Sequence, residues 1–92
     1  MTKENIIFIG NKPATAYVMA CVTQFNNEAK TIVLKARGRA ISRTVDVAEI
    51  LCKRFMKDIV KVTNIQISTE QLENSEGNVL NLSAIEITIS KI

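Results

Sequence analysis

Four cations in ten residues make the segment from Lys35 to Thr44 the part of this sequence best suited to bind an anion. The cations are Lys35, Arg37, Arg39 and Arg43, and no acidic residue lies among them. Arginine holds phosphate through paired, planar hydrogen bonds, and the central Gly38 allows a positive φ and a close approach to a ligand. The residue types therefore indicate phosphate binding, while a solvated basic loop fits the composition equally well.

The flanking residues predict that this basic segment connects a strand to a helix. Thr31 to Leu34 is a short run with β-branched residues, which is typical of a strand. A helix should follow, capped by Ser42 or Thr44, with Asp46 in its first turn, and end near Lys57. Unpaired N–H groups and the dipole at a helix start attract anions, so this connection is a suitable place for a phosphate.

A second loop is expected beside the first. The unbroken apolar run Ile6 to Ile9 predicts a strand covered on both faces, followed by the loop Gly10 to Pro13 and a helix that Asn11 caps and that ends near residue 26 or 27. A strand, helix, strand order needs a crossover connection, which makes the two strands parallel. Because parallel strands end at the same edge of a sheet, the two loops should lie side by side.

This arrangement predicts which side chains meet at the proposed phosphate site. Lys12 lies in the first loop and Tyr17 one helical turn later, so both should approach Arg37 and Arg39. The ring and hydroxyl of Tyr17 could border the anion site. A half-buried tyrosine that only packs against the core is an equally good interpretation.

The second predicted helix carries a wider apolar surface than packing on one sheet requires. Eight residues fill an arc of about 160° at 100° per residue, namely Ile41, Thr44, Val45, Val47, Ala48, Leu51, Cys52 and Phe55. Ile50 falls outside the arc as an exposed apolar residue. Such a surface favours contact with a second chain.

The C-terminal third predicts a long antiparallel hairpin. Val60 to Ser68 and Val79 to Ser90 alternate with period two, and both change phase partway, which indicates a bulge or strong twist. The turn Asn74 to Asn78 joins them, and arms of this length should project beyond the body of the domain.

Composition indicates one globular domain over residues 1–92. Hydrophobic residues make up 47% of the 92, and we expect a cytoplasmic location because neither a membrane-spanning run nor a signal peptide is present. Cys21 and Cys52 are best explained as reduced thiols in apolar helix faces. Because the sequence also lacks histidine, paired-carboxylate motifs and a phosphate-binding Gly-Lys loop, we expect neither an enzyme nor a cofactor or metal.

The charges are unevenly distributed along the chain. Residues up to Lys61 hold eleven of the twelve cations, whereas four of the nine acids lie beyond it, among them Glu70 and Glu86. This asymmetry predicts a basic surface that faces phosphate on one side only, with the acidic third elsewhere.

Nearly the whole chain resembles the Alba family of archaeal nucleic-acid-binding proteins. The resemblance is carried by five segments, Ile9-Gly10-Asn11-Lys12-Pro13, Tyr17-Val18-Met19-Ala20, Lys35 to Arg43, Val45 to Ile50 with Arg54-Phe55, and Ser83 to Ile87. It implies an α/β domain built as two α+β layers, of order βαβαββ, with a mixed four-stranded sheet and two helices. This topology is similar to that of the C-terminal domain of bacterial translation initiation factor three.

The resemblance also implies a function. Family members form homodimers that coat double-stranded DNA on the chromosome, and some bind RNA. Their loop lysines and Arg-Gly-Arg arginines approach the nucleic-acid backbone, which here implies roles for Lys12, Lys35, Arg37, Arg39 and Arg43. Phe55 matches an aromatic that lies between neighbouring dimers, and Ile50 is a second candidate for contact between chains.

This sequence departs from the family pattern at positions that bear on affinity. Asn11 stands where many relatives carry a lysine that can be modified, and Cys52 stands where a basic residue is frequent. Glu73, Glu76 and Asn78 occupy the hairpin tip, where relatives place arginine. Fewer phosphate contacts imply weaker binding and a shallower salt dependence, so a selective DNA-binding or RNA-binding role is the alternative to bulk packaging. A dimeric scaffold that recruits proteins through its second helix is a further alternative.

Overall fold

The structure, a computed structural model, describes residues 5–92 as a four-stranded sheet with two helices on one face. Its elements are β1 (Asn5–Phe8), α1 (Ala14–Asn26), β2 (Thr31–Arg37), α2 (Ala40–Ile50), a π-helical turn (Leu51–Phe55) that continues α2, β3 (Val60–Glu73) and β4 (Val79–Lys91). The strand order is β1-β2-β4-β3, with β1 parallel to β2 and the other pairs antiparallel. The predicted βαβαββ order, mixed sheet and parallel first pair are confirmed.

The core lies between the helices and one face of the sheet. Alternate residues of β2, namely Ile32, Leu34 and Ala36, turn toward the helices, and β4 contributes Ile85, Ile87 and Ile89 in the same way. The helices supply Val18, Cys21 and Phe25 from α1 and Val47, Ala48 and Leu51 from α2 and its continuation. No helix within residues 5–92 covers the other face of the sheet, and we call it the open face.

β1 is an edge strand and is not covered on both faces, as its apolar run had suggested. Ile7 and Ile9 pack against the core, whereas Ile6 is 44% exposed and Phe8 is 72% exposed on the open face. A continuous apolar run indicates a strand but does not fix how many of its faces are buried.

β2 is longer than its apolar run, and the start of α2 also differs from the prediction. β2 continues through Lys35 and Arg37 because its backbone pairs with β4 as far as Arg37 opposite Ala84. α2 then begins at Ala40, with Arg39 at its N-cap and no side-chain cap. The strand-to-helix connection is therefore only two residues long, and Lys35 and Arg37 belong to the strand.

The predicted helix caps are wrong. Pro13 occupies the N-cap position of α1 without a side-chain cap, so Asn11 lies in the preceding loop. Thr44 lies one turn inside α2, where its side chain is fully buried and its hydroxyl donates to the Ala40 carbonyl at 2.9 Å. No acidic residue lies in the first turn of α2, because Asp46 falls in its second turn.

The predicted apolar arc of α2 is only partly buried. Val47, Ala48 and Leu51 belong to the core, but Val45 is 43% exposed and Phe55 51% exposed. Ile50 is partly buried and packs against the core, so its predicted full exposure is wrong. α1 packs beside α2, and a helix covered from two directions has fewer open positions than one that rests on a sheet alone.

The hairpin of β3 and β4 contains one bulge. The register shifts between Val62 and Asn64 on β3, which brings Val62 and Ile65 onto the helix side of the sheet. β4 pairs without a shift, so the paired shift predicted for both strands holds for β3 alone. The predicted turn from Asn74 to Asn78 is confirmed, and the Asn74 side chain accepts hydrogen bonds from two backbone N–H groups of that turn.

Candidate nucleic-acid interface

The two loops at the carboxyl ends of β1 and β2 lie against each other, as predicted. A side-chain hydrogen bond ties the first turn of α2 to the first loop, because Arg43 donates from Nη1 to the Gly10 carbonyl at 2.8 Å. The strands beneath are also tied, with Ile9 N donating to the Lys35 carbonyl at 2.9 Å. Arg43 has five N–H donors in all, so this contact leaves others to meet a ligand.

Tyr17 holds the first loop in place. Its hydroxyl accepts hydrogen bonds from the backbone N–H of Gly10 at 2.9 Å and of Lys12 at 3.1 Å. The ring is partly buried against the core, which agrees with the interpretation of Tyr17 as a half-buried packing residue. Its place at the border of an anion site stays a prediction. The hydroxyl oxygen fixes the backbone that presents the exposed side chain of Lys12.

Gly38 forms the turn between β2 and α2. Its φ is +58°, a conformation that disfavours a side chain even though an added Cβ would meet only Leu82 at ordinary contact distance. Its N–H donates to the Ser83 carbonyl at 2.8 Å, and its carbonyl accepts from Ile41 N. The glycine thus places Arg39, which is exposed, at the start of α2.

Lys35 and Arg37 lie on the open face, and each contacts a carboxylate. Lys35 Nζ is 3.0 Å from Glu86 Oε1, on the residue directly opposite it on β4. Arg37 Nη1 donates to Glu70 Oε1 on β3 at 3.2 Å. The guanidinium of Arg37 therefore contacts the hairpin. The sequence had suggested that it would lie toward Lys12, and that expectation is wrong.

These ion pairs also correct the expected separation of charge. Glu70 and Glu86 come from the acidic third of the chain but lie against the basic segment. All four side chains remain about one third to one half exposed, so solvent screens both pairs. Lys12 and Arg39 differ from them, because within residues 5–92 neither forms an ion pair.

The site thus contains two groups of cations at one end of the sheet. We call Lys12, Arg39 and Arg43 the loop cluster and Lys35 and Arg37 the sheet-face pair. Together they can meet several oxygens of a polyanion, and the positive end of the α2 dipole lies beside them. The sequence indicated all five cations but neither partner acid, which could be found only once the hairpin register was known.

An apolar groove lies between α2 and β3, on the helix side of the sheet. Its volume is about 480 Å³, and its apolar lining includes Val45, Cys52, Val62, Ile65 and Ile92. Ile65 is 59% exposed. Phe55 does not line this groove; it ends the π-helical turn and is exposed. The partly buried Ile50 borders a shallow depression with Glu49, Lys53 and Arg54.

The two cysteines are free thiols. Burial raises the pKa of Cys21 to about 12, and burial also raises the pKa of Cys52. A thiol with a raised pKa is a poor nucleophile and a poor metal ligand at neutral pH.

The described part of the chain offers neither a metal site nor a membrane-spanning helix. Residues 5–92 contain no group of three or more side chains arranged to hold a metal ion. Over the same range, no helix has the length and apolar character needed to cross a membrane.

Comparison with known proteins agrees with this geometry. The Alba family model matches residues 5–69. The chain is 53% identical to the DNA/RNA-binding protein Alba of Methanocella arvoryzae over 99% of its own length and 94% of that protein. It is 57% identical to DNA/RNA-binding protein Alba 1 of Archaeoglobus fulgidus, over 96% of this chain and 97% of that one. These relatives are named as binding proteins and not as enzymes.

A solved structure gives the same result. Alba from Thermoplasma volcanium superimposes with a TM-score of 0.86 at 52% sequence identity, covering 94% of this chain and 99% of that one. The chain and this structure thus share both the fold and about half of their residues, over nearly the full length of each. The chain belongs to the Alba family.

Proposed function

We propose that this protein is a non-enzymatic homodimer that binds nucleic acid through the phosphate backbone at the paired loops. The observation that carries the proposal is the Arg43 contact to the Gly10 carbonyl, 2.8 Å long, which holds the start of α2 against the first loop and so brings the cations of both connections to one end of the sheet. The names of the relatives as DNA/RNA-binding proteins support the choice of ligand. Association with the chromosome follows if double-stranded DNA is the ligand in the cell.

The residues favour phosphate recognition over base recognition by this surface. Its side chains are lysines and arginines on a loop and a short helix start, and such contacts position a protein on the backbone without reading sequence. Binding should therefore weaken steeply with salt, because each neutralised phosphate releases counterions.

Double-stranded DNA is the first candidate ligand, and RNA or a selective set of DNA sites is the second. The second is favoured by the hairpin, whose tip carries Glu73 and Glu76 and no cation between Glu73 and Val79. An acidic tip contributes no phosphate contact, so affinity depends on the loop cluster and the sheet-face pair.

The apolar groove supports homodimerisation. Val45, Val62 and Ile65 expose 43%, 39% and 59% of their surface there in a single chain, and the bulge in β3 turns two of them toward the groove. Each Å² of apolar surface removed from water contributes about 25 cal/mol in favour of association, against which the entropic cost of joining two chains is set. Phe55, 51% exposed at the end of the π-helical turn, is proposed to contact a neighbouring dimer on nucleic acid.

The site is tested with Arg37→Ala/Arg39→Ala. We expect weaker binding of duplex DNA and duplex RNA at low salt, and a plot of log K against log salt whose slope is shallower by about 0.9 for each phosphate that the variant no longer neutralises. The matched control is Lys30→Ala/Lys91→Ala, which removes two charges at the other end of the sheet, where the Lys91 N–H donates to the Lys30 carbonyl. Equal affinity of wild type and Arg37→Ala/Arg39→Ala would refute the site.

The dimer is tested with Ile65→Asp, which places a charge in the groove. We expect sedimentation equilibrium to show a dimer for the wild type and a folded monomer for the variant. Ile6→Asp is the control, because Ile6 is also exposed but lies on the open face. A variant Ile65→Asp that remains dimeric would show that the groove is not the contact between chains, and would leave it free for another protein.

A further inference from the structure

The open face carries one large aromatic side chain that neither the core nor the loop cluster uses. Phe8 is the last residue of β1 and is 72% exposed, while its neighbours Ile7 and Ile9 pack inward. A single exposed apolar residue is ordinary in soluble proteins. The surroundings of Phe8 are what make it a candidate site.

Phe8 lies beside the sheet-face pair. It is directly opposite Lys35 in the register of β1 and β2, and it lines a depression of about 370 Å³ together with Lys35, Arg37 and Glu70. That volume is within the range of small-ligand pockets, about 300–1,000 Å³. The depression combines a flat apolar ring, two cations and a carboxylate, which are the groups that bind the base and the phosphate of one nucleotide.

The residues of the depression are close to the loop cluster along the chain. Phe8 precedes Gly10 by two residues, and Gly10 accepts the hydrogen bond from Arg43. Arg37 precedes the turn at Gly38, which leads to Arg39. A strand whose phosphates lie on the loop cluster can therefore continue onto the open face, with one base over Phe8.

The occupant must be an unpaired base. In a duplex the bases are stacked within the helix and cannot cover an aromatic ring on a protein surface unless they are extruded. An aromatic residue on an exposed sheet, next to basic residues, is the arrangement by which sheet surfaces stack the bases of single strands.

We propose that Phe8 stacks on an unpaired base of a single-stranded nucleic acid while Arg37 leaves Glu70 to bind the adjoining phosphate. The inference rests on the proposed function, because it uses the same strand bound at the loop cluster. It adds a ligand class, since it assigns an unpaired base of single-stranded RNA or DNA to Phe8, a side chain that the phosphate contacts of duplex DNA do not use.

The test compares Phe8→Ala and Phe8→Leu with wild type, using oligouridine, oligothymidine and a duplex of the same length. We expect both variants to bind one or both single strands about tenfold more weakly and to bind the duplex as wild type does. Leucine keeps apolar contact without a ring, so an equal weakening in the two variants points to stacking. Thermal unfolding checks that both variants are folded.

A direct readout comes from Phe8→Trp, because the chain has no other tryptophan. We expect oligouridine or oligothymidine to quench its fluorescence, and an abasic strand of equal charge to leave it unchanged. Unaltered single-strand affinity in Phe8→Ala, or equal quenching by the abasic strand, would overturn the inference. If Arg37→Ala/Arg39→Ala weakens binding while Phe8→Ala does not, only this inference fails; if neither variant changes the binding of any nucleic acid, the proposed function fails as well.

Discussion

The loop cluster and the sheet-face pair belong to one basic surface but differ in whether their cations form ion pairs with carboxylates. Lys35 and Arg37 lie 3.0 and 3.2 Å from the carboxylates of Glu86 and Glu70. Lys12 and Arg39 have no such partner within residues 5–92. The number of cations in a segment therefore overstates the charge that it offers to a ligand, because strand pairing can bring acids from a distant part of the chain.

The difference has a consequence for binding. A phosphate that approaches the loop cluster meets free cations, whereas one that approaches the sheet-face pair must replace a carboxylate. The net binding free energy at the sheet-face pair is smaller, because the existing ion pair with the carboxylate must break before the cation contacts phosphate. We therefore expect the loop cluster to supply most of the affinity and the sheet-face pair to adjust it.

The largest effect is expected from Lys12→Ala/Arg39→Ala. Removal of two charged hydrogen bonds to phosphate should weaken duplex binding by about 3 kcal/mol, at about 1.5 kcal/mol for each bond. Lys35→Ala/Arg37→Ala removes the same charge and should cost less, because Glu86 and Glu70 already hold these two cations in the free protein. Fluorescence anisotropy at one salt concentration measures the affinity of each variant for the duplex. A loss in Lys35→Ala/Arg37→Ala as large as in Lys12→Ala/Arg39→Ala, or larger, would contradict the proposed difference between the two groups of cations.

An intermediate effect is expected from Arg43→Ala, on stability as well as on binding. Arg43 ties α2 to the first loop through the Gly10 carbonyl, so its replacement should lower the free energy of unfolding by about 1.5 kcal/mol. Arg39→Ala, at an exposed helix start, should change it by no more than about 0.5 kcal/mol. Urea unfolding measures both. Equal stabilities would mean that Arg43 acts on the ligand alone.

The smallest expected effect is a gain in affinity for nucleic acid. Glu70→Gln and Glu86→Gln each free one cation of the sheet-face pair while keeping the shape of the side chain. A half-exposed ion pair contributes about 0.5 kcal/mol, so affinity should rise about twofold in each variant. Glu49→Gln is the control, because it releases Lys53, on the π-helical turn that follows α2, from an exposed ion pair at 3.9 Å. A gain in Glu49→Gln as large as in Glu70→Gln would show that net charge alone is responsible.

The sequence predicted the order of elements and the closeness of the two loops, because local signals carry both. The glycine of the basic segment does have a positive φ, at +58°, and the turn at Asn74 to Asn78 forms where its residues indicated. Side-by-side loops followed from the parallel strands, whose direction a crossover connection requires.

The remaining features depend on contacts between distant residues. β2 extends to Arg37 because β4 pairs with it, although Lys35 and Arg37 are not strand-like in sequence. Glu70 meets Arg37 across 33 positions of the chain, and no local pattern encodes that contact. The exposure of Phe8 depends likewise on β1 being an edge strand, which the apolar run around it concealed.

The central claim is that nucleic acid binds at the joined loops, and backbone amide chemical shifts during titration with a short DNA duplex test it most directly. We predict that the largest changes fall on Gly10 to Lys12 and on Gly38 to Arg43, with smaller changes at Arg37 and Glu70. Changes confined to the groove around Val45 and Ile65, or to the opposite end at Lys30 and Lys91, would contradict it.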